Sequence, residues 1–319
     1  MKTMQNIANI RRAVSLAAST IAFVVVAALA QPASAAQTTY KTPAELYTAL
    51  VAAARADDTK ALLAILGPQG DSLVQSGDPV ADKEALKKFV TAYDEFHRIE
   101  FQYEMQEAVL VVGKDEWPMP IPAVLDKGVW YLDSAEGADE ILNRRIGRNE
   151  LAVIEVCQAY VGAQLDYAAV DRDNNRFLEY AQKFLSSPGK HDGLYWPTAD
   201  GEQESPLGPL VVEAQSHGYT VDGQKQEPSP YYGYYYRILY GQGPHAADGA
   251  YNYIINGHMV GGFAMVAYPA QYGVTGIMTF IVNQDGVIYQ KDLGAKTADV
   301  AAKIKLFDPG AGWVKQQAN

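Results

Sequence analysis

The stretch Tyr231-Tyr232-Gly233-Tyr234-Tyr235-Tyr236-Arg237-Ile238-Leu239, continued to Leu293 by apolar runs that break at Asn256-Gly257, Gly261-Gly262 and Asp285-Gly286, decides the fold class. Asn-Gly and Asp-Gly pairs accept the positive φ angles of tight hairpins, and β-branched and aromatic residues flank them. Ile277 to Val282 and Val287 to Tyr289 bracket the last pair as strands. The spacing therefore predicts an antiparallel meander at the C-terminal end.

Upstream, residues 170–230 read as loops. Ser187-Pro188-Gly189, Asp192-Gly193, Ser205-Pro206-Leu207-Gly208-Pro209 and Pro228-Ser229-Pro230 each interrupt any regular element. Before them, Ile141, Ile146, Leu151, Ile154, Cys157, Val161 and Leu165 recur every three to five residues without a proline, which predicts a long helix over about 138–169 with Gly147 as a site for a kink.

The first third opens with helices. Thr42 suits an N-cap and Pro43 the first turn, with Leu46, Leu50 and Val51 on one face. A second helix follows Asp57-Asp58 and stops at Gly67-Pro68. A third runs from about Val80 to Phe96, with Leu86, Phe89, Val90 and Tyr93 aligned. The period then shortens, and Ile99 to Tyr103, Val109 to Val112, Met119 to Leu125 and Val129 to Leu132 read as strands, the last two joined by Asp126-Lys127-Gly128.

The N-terminus has the features of a secretory leader. Lys2, Arg11 and Arg12 precede an apolar run from Ala13 to Ala30 and the small-residue stretch Pro32-Ala33-Ser34-Ala35-Ala36, so cleavage is expected after Ala35 or Ala36 and residues 1–36 are assigned to a signal peptide. Arg11-Arg12 lacks the continuation of a twin-arginine signal, so general secretion is expected. The only cysteine, Cys157, lies far from the leader, which removes an N-terminal lipid anchor and any internal disulfide from the expectations. Losing three cations with the leader takes the formal net charge of −11 to −14. Such a balance weighs against nucleic acid and anionic lipid and favours solubility or cationic partners.

Several segments resemble a bacterial family of exported proteins, the domain of unknown function 2950 family: Ser76-Gly77-Asp78-Pro79-Val80-Ala81-Asp82, Trp117-Pro118-Met119-Pro120-Ile121-Pro122, Ile141 to Glu150, Asp192-Gly193-Leu194-Tyr195-Trp196-Pro197, Gly261 to Ala264 with Ala267 to Ala270, and Tyr289 to Gly294. The resemblance covers nearly the whole mature chain and implies secretion and a two-part architecture, with no activity, catalytic residue or cofactor attached. Helices followed by a meander resemble the cone-shaped nuclear-transport-factor-like fold over residues 40–137. A long helix, an irregular connection and a terminal sheet resemble the globular part of pilins and pseudopilins over residues 138–319. The expected class is thus α+β in two domains. A whole domain separates the leader from the long helix, so filament assembly is not expected.

Motif by motif, chemistry is sparse. Asp171-Arg172-Asp173-Asn174-Asn175 starts like a calcium loop, but Arg176 stands where the turn needs glycine and Gln182 where a bidentate glutamate belongs, so an Asx-bonded turn is expected. The histidines at 97, 191, 217, 245 and 258 include no i, i+4 pair, and no zinc site is expected. No nucleophile elbow, P-loop or dinucleotide fingerprint occurs, and no cofactor is expected.

Asp94 and His97 are the one candidate acid–base pair, although their place at a helix end also fits a solvated salt bridge. Arg144, Arg145 and Arg148 form the densest basic cluster and suit either a carboxylate ligand or a clamp between domains. Tyr195, Trp196, Tyr234 and Tyr236 could offer stacking faces, or fill the core. These seven arginine and aromatic positions are the candidate binding surface. The expected function is a non-catalytic module of the periplasm or cell exterior that binds an envelope protein or glycan. The alternative is an envelope hydrolase or small-ligand enzyme built around Asp94 and His97.

Overall fold

The computed structural model describes residues 37–172, 176–199, 201–202, 204–217, 219 and 229–316. The expected leader and residues 173–175 of the calcium-like stretch lie outside the described residues. The chain opens with α1 (Pro43–Arg55), where the Thr42 hydroxyl accepts from the Glu45 amide and Pro43 occupies the first turn. Asp58 caps α2 (Thr59–Leu66), which ends at Gly67 with a positive φ of +75°. A short α3 (Gly70–Val74) precedes α4 (Pro79–Glu95), whose N-cap is Asp78. Leu46, Tyr47, Leu50, Leu62, Ile65 and Leu66 from the first two helices form one hydrophobic cluster with the sheet beside them.

That sheet contains β1 (His97–Gln102), β2 (Glu107–Val112), β3 (Trp117–Pro118), β4 (Ala123–Asp126) and β5 (Val129–Leu132). It is antiparallel in the order β1-β2-β4-β5, with β3 on β2. Lys127 and Gly128 both take positive φ, as a two-residue type I′ hairpin between β4 and β5 requires. The expected strand from Met119 is shorter than its apolar run. Pro118, Pro120 and Pro122 remove alternate backbone donors, and regular pairing starts only at Ala123.

The long helix α5 (Ser134–Ala168) starts four residues before the expected Ala138 and runs through Gly147 without interruption. Its buried stripe is Val153, Val156, Cys157, Tyr160, Ala163, Gln164 and Tyr167. Leu151, which is 57% exposed, and Leu165 fall outside that stripe, contrary to the apolar periodicity. Near its start, a Cβ on Gly137 would sit 2.3 Å from the Pro120 carbonyl oxygen, so glycine permits this close helix–loop contact.

Within the expected loop region lies α6 (Gly208–Ser216), with Pro209 in its first turn. The proline starts this helix instead of breaking it. There follow β6 (Tyr234–Leu239), β7 (Gly241–Gln242), β8 (Tyr251–Asn252), β9 (Ile254–Ile255), β10 (His258–Met259), β11 (Ala264–Pro269), β12 (Met278–Asn283), β13 (Tyr289–Asp292), α7 (Thr297–Ala301) and β14 (Val314–Lys315). The main sheet is antiparallel in the order β14-β13-β12-β11-β6, and β9 and β10 form a hairpin on Asn256-Gly257. The predicted meander is present and the class is α+β.

From Ala35 to Asn319 the chain is one compact unit carrying two hydrophobic clusters. Helix α5 contributes to both, through Ile141 at one end and Val153 to Tyr167 further on. Polar contacts reinforce it. Glu150 accepts from the Ile277 and Met278 amides at 2.9 Å each, and the Asn149 amide donates to the Thr275 carbonyl at 2.9 Å. Asp78 adds a second tie, accepting from the Tyr219 hydroxyl and the Gly233 amide at 2.8 Å each while being 1% exposed. Among the described residues no helix is long and apolar enough to cross a membrane.

Candidate functional site

Asp94 and His97 do not form an acid–base pair over a cavity. Both Asp94 oxygens are held by Arg55, at 2.7 and 2.9 Å, and these hydrogen bonds keep the carboxyl below its usual range. His97 stacks on Tyr93 with ring centroids 3.8 Å apart, and its Nδ1 lies 2.9 Å from the Tyr93 carbonyl. Both side chains sit on the exposed surface.

The arginines diverge because neighbours on a helix point about 100° apart. Arg144 pairs with Glu140 and lies over Trp117, with 5.6 Å to the ring centroid. Arg145 turns inward and donates to the Ser72 and Leu73 carbonyls, and its burial lowers its pKa. Arg148 is exposed and, among the described residues, has no ion-pair partner. The three form no common fork.

Two of the aromatic candidates are core residues. Tyr234 is 0% exposed and donates to the Met278 carbonyl, while Trp196 is buried between His191, stacked at 4.3 Å, and the Arg172 guanidinium. Burial pushes the Tyr234 hydroxyl far above its usual range. Tyr236, on the same face of β6, donates to the Tyr231 carbonyl, and Tyr195 is half-buried with its backbone bonded to Phe184 and Ser186. Strand alternation turns Tyr234, Tyr236 and Ile238 toward α5, so this face of the tyrosine run supplies packing. In the calcium-like stretch, the Asp171 carboxylate accepts from the Arg176 amide and Arg172 folds back onto the Asp166 and Tyr167 carbonyls at the end of α5.

A different surface combines accessibility with chemical variety. A groove of about 720 Å3 lies between β7, β8 and the segment after α7, with Tyr240, Tyr251, Asn252, Arg237, Lys305 and Leu306 among its walls. A second groove of about 300 Å3 adjoins it, sharing Lys305 and Leu306 and adding Lys303, Asp308 and Trp313. The larger volume falls within the roughly 300–1,000 Å3 common for ligand sites.

Glycines create this arrangement. The segment carrying Lys305 and Leu306 is strung beside β7 by Phe307, whose amide donates to the Gly241 carbonyl and whose carbonyl accepts from the Gly243 amide, both at 2.9 Å. A Cβ on Gly243 would stand 2.3 Å from Asp308, and one on Gly241 would stand 3.0 Å from both the Tyr251 carbonyl and Leu306. Phe307 itself is buried in the second cluster and anchors the wall.

The rings are fixed but open. Tyr240 is 46% exposed with its hydroxyl donating to the Gln182 carbonyl at 3.2 Å, and Tyr251 is 36% exposed with its hydroxyl accepting from the Gln284 amide at 3.1 Å. Burial, helped by Asp248 and Asp285, raises the Tyr251 pKa. Gln242 lines the floor, accepting from Tyr253 and Gln284 and donating to the Gly249 carbonyl. The Asn252 oxygen accepts from the Ile254 amide, which turns its amino group into the available donor.

Charge on the larger groove is of one sign. Arg237 donates to the Ala301 and Ile304 carbonyls at 2.7 and 2.8 Å, and Lys305 is exposed; among the described residues neither has a carboxylate partner. In the smaller groove Asp308 is already held by His245, whose backbone amide and Nδ1 contact Oδ1 at 2.9 and 3.0 Å. No Asp, Glu or His lines the larger groove. Its walls can stack, donate hydrogen bonds and attract anions.

The fold and this groove define a class: an α+β protein in which one long helix serves two cores and a meander carries an aromatic, cationic cleft. The chain belongs to the family described as protein of unknown function (DUF2950), whose profile matches residues 37–316. No curated protein matches it, and no solved structure matches it.

Proposed function

We propose that this protein is an exported, soluble binding module of the cell envelope that holds an extended ligand in the groove beside Tyr240 and Tyr251, without turning it over. One observation carries the reading. The groove walls offer two immobilised, half-open rings and hydrogen-bond donors, and no Asp, Glu or His is among the described residues lining it. Rings already held by hydroxyl hydrogen bonds lose little freedom when a ligand stacks on them. Export rests on the leader-like residues 1–36, and cell fractionation of the intact gene product tests it.

The binding reading is tested by retention of the purified protein on insoluble envelope polysaccharide. Retention that falls about tenfold in Tyr240→Ala and Tyr251→Ala, with an unchanged thermal midpoint, supports it. Retention unaffected by either change would refute it.

A further inference from the structure

We infer that the ligand is a carboxylated oligosaccharide, lying with sugar faces on Tyr240 and Tyr251 and its carboxylates against Lys305, Lys303 and Arg237. This rests on the binding reading above and specifies its ligand class.

Three observations converge. First, the cleft is open: Tyr240 and Tyr251 are 46% and 36% exposed, Asn252 offers a donor, and its apolar lining includes Leu306, itself 46% exposed. A peptide anchored by side chains needs a desolvated socket, whereas a pyranose presents an apolar C–H face to an open ring and hydroxyls to the rim.

Second, the charge is locally inverted. The chain is strongly acidic overall at −11, yet the charged residues on the larger groove are Arg237 and Lys305. An anionic polymer is repelled by the acidic chain as a whole and meets here two cations without carboxylate partners among the described residues, which favours this site. Composition alone points to cationic partners. Local placement reverses that.

Third, the two grooves meet at Lys305 and Leu306, so cations and rings continue past a single residue pair, from Tyr251 and Arg237 on one side to Lys303 and Trp313 on the other. A chain of repeating acidic units matches that continuity better than one compact anion does. Asp308 also lines the smaller groove, with its Oδ1 held by the His245 amide and Nδ1.

The test is calorimetric titration of the purified protein with tetragalacturonate, its fully methyl-esterified form, and tetraglutamate. Tetragalacturonate is expected to bind at least about tenfold more tightly than the ester, with affinity falling as salt rises. Lys305→Glu, a surface change that leaves the core intact, is expected to remove most of that preference, and Tyr240→Ala to weaken acid and ester alike. Equal, salt-independent binding of acid and ester would overturn the charge inference while leaving the binding reading in place. Binding of tetraglutamate in preference to the uronate would overturn the saccharide assignment. Binding of none of the three by folded protein would count against both.

Discussion

The Tyr219 hydroxyl donates to Asp78 Oδ2 at 2.8 Å across 141 residues of sequence, and the same oxygen accepts from the Gly233 amide. The other Asp78 oxygen caps α4 through the Ala81 amide. One buried carboxylate therefore starts a helix and ties the loop before it to the entry of the C-terminal meander. Asp78 also raises the Tyr219 pKa, after burial, since a neighbouring anion disfavours the phenolate.

Asp78→Ala strands two buried donors and removes a cap, and is expected to cost about 3–5 kcal/mol. Tyr219→Phe removes one of the Asp78 donors and the hydroxyl that accepts from the Tyr232 amide, leaves the cap and the Gly233 contact in place, and is expected to cost about 1–2 kcal/mol. Urea denaturation of the three proteins measures both. Equal, small losses would mean that the contact is incidental.

Gly233→Ala is expected to be among the most damaging glycine substitutions. Its φ is +70°, and an added Cβ would lie 2.7 Å from both the Asn149 amide and the Thr275 side chain, where α5 meets the sheet. Gly128→Ala carries a similar φ of +82° with open space around it. The expected losses in thermal unfolding are more than about 3 kcal/mol for Gly233 and about 1 kcal/mol for Gly128.

Asp192 supplies a pH dependence with a definite sign. Partial burial alone would raise its pKa, but hydrogen bonds from Lys183 and from the Ser187 amide and hydroxyl outweigh it and lower the value to about 2. A carboxyl depressed in the folded state stabilises above its unfolded pKa and loses that contribution as pH falls through the folded value. The stability gap between the protein and Asp192→Asn should be full above about pH 5 and vanish toward pH 2. A gap that grows on acidification would contradict this.

Cys157 is fully buried in the α5 stripe, and burial pushes its thiol up to about 12. Labelling by a thiol reagent should therefore proceed at the rate of global unfolding, accelerating with urea. Fast labelling of native protein would show that the helix opens locally.

Much of the fold was legible from local pattern. Thr42-Pro43, Asp126-Lys127-Gly128 and Asn256-Gly257 mark a helix start and two hairpins because their preferences are intrinsic to the residues. Helix α6 was hidden because Pro209 has the same identity whether it starts or breaks a helix. Leu151 and Leu165 fit an apolar period that tertiary packing did not use. The site was less legible. Gly241 and Gly243 hinted at a close backbone approach, but the partner, Phe307, lies more than sixty residues away. No local rule could pair them. The tyrosine run advertised exposed rings, yet α5 covers its Tyr234 and Tyr236 face, and the rings that line the groove, Tyr240 and Tyr251, lie outside the run.

Backbone amide shift mapping during titration with tetragalacturonate tests the central claim most directly. The expected result is a contiguous set of perturbed amides from Tyr240 to Asn252 and from Lys303 to Asp308, with Asp94 to His97 and Arg144 to Arg148 unmoved. Perturbation centred on Arg144 to Arg148 or on Asp94 to His97, with the groove silent, would contradict it.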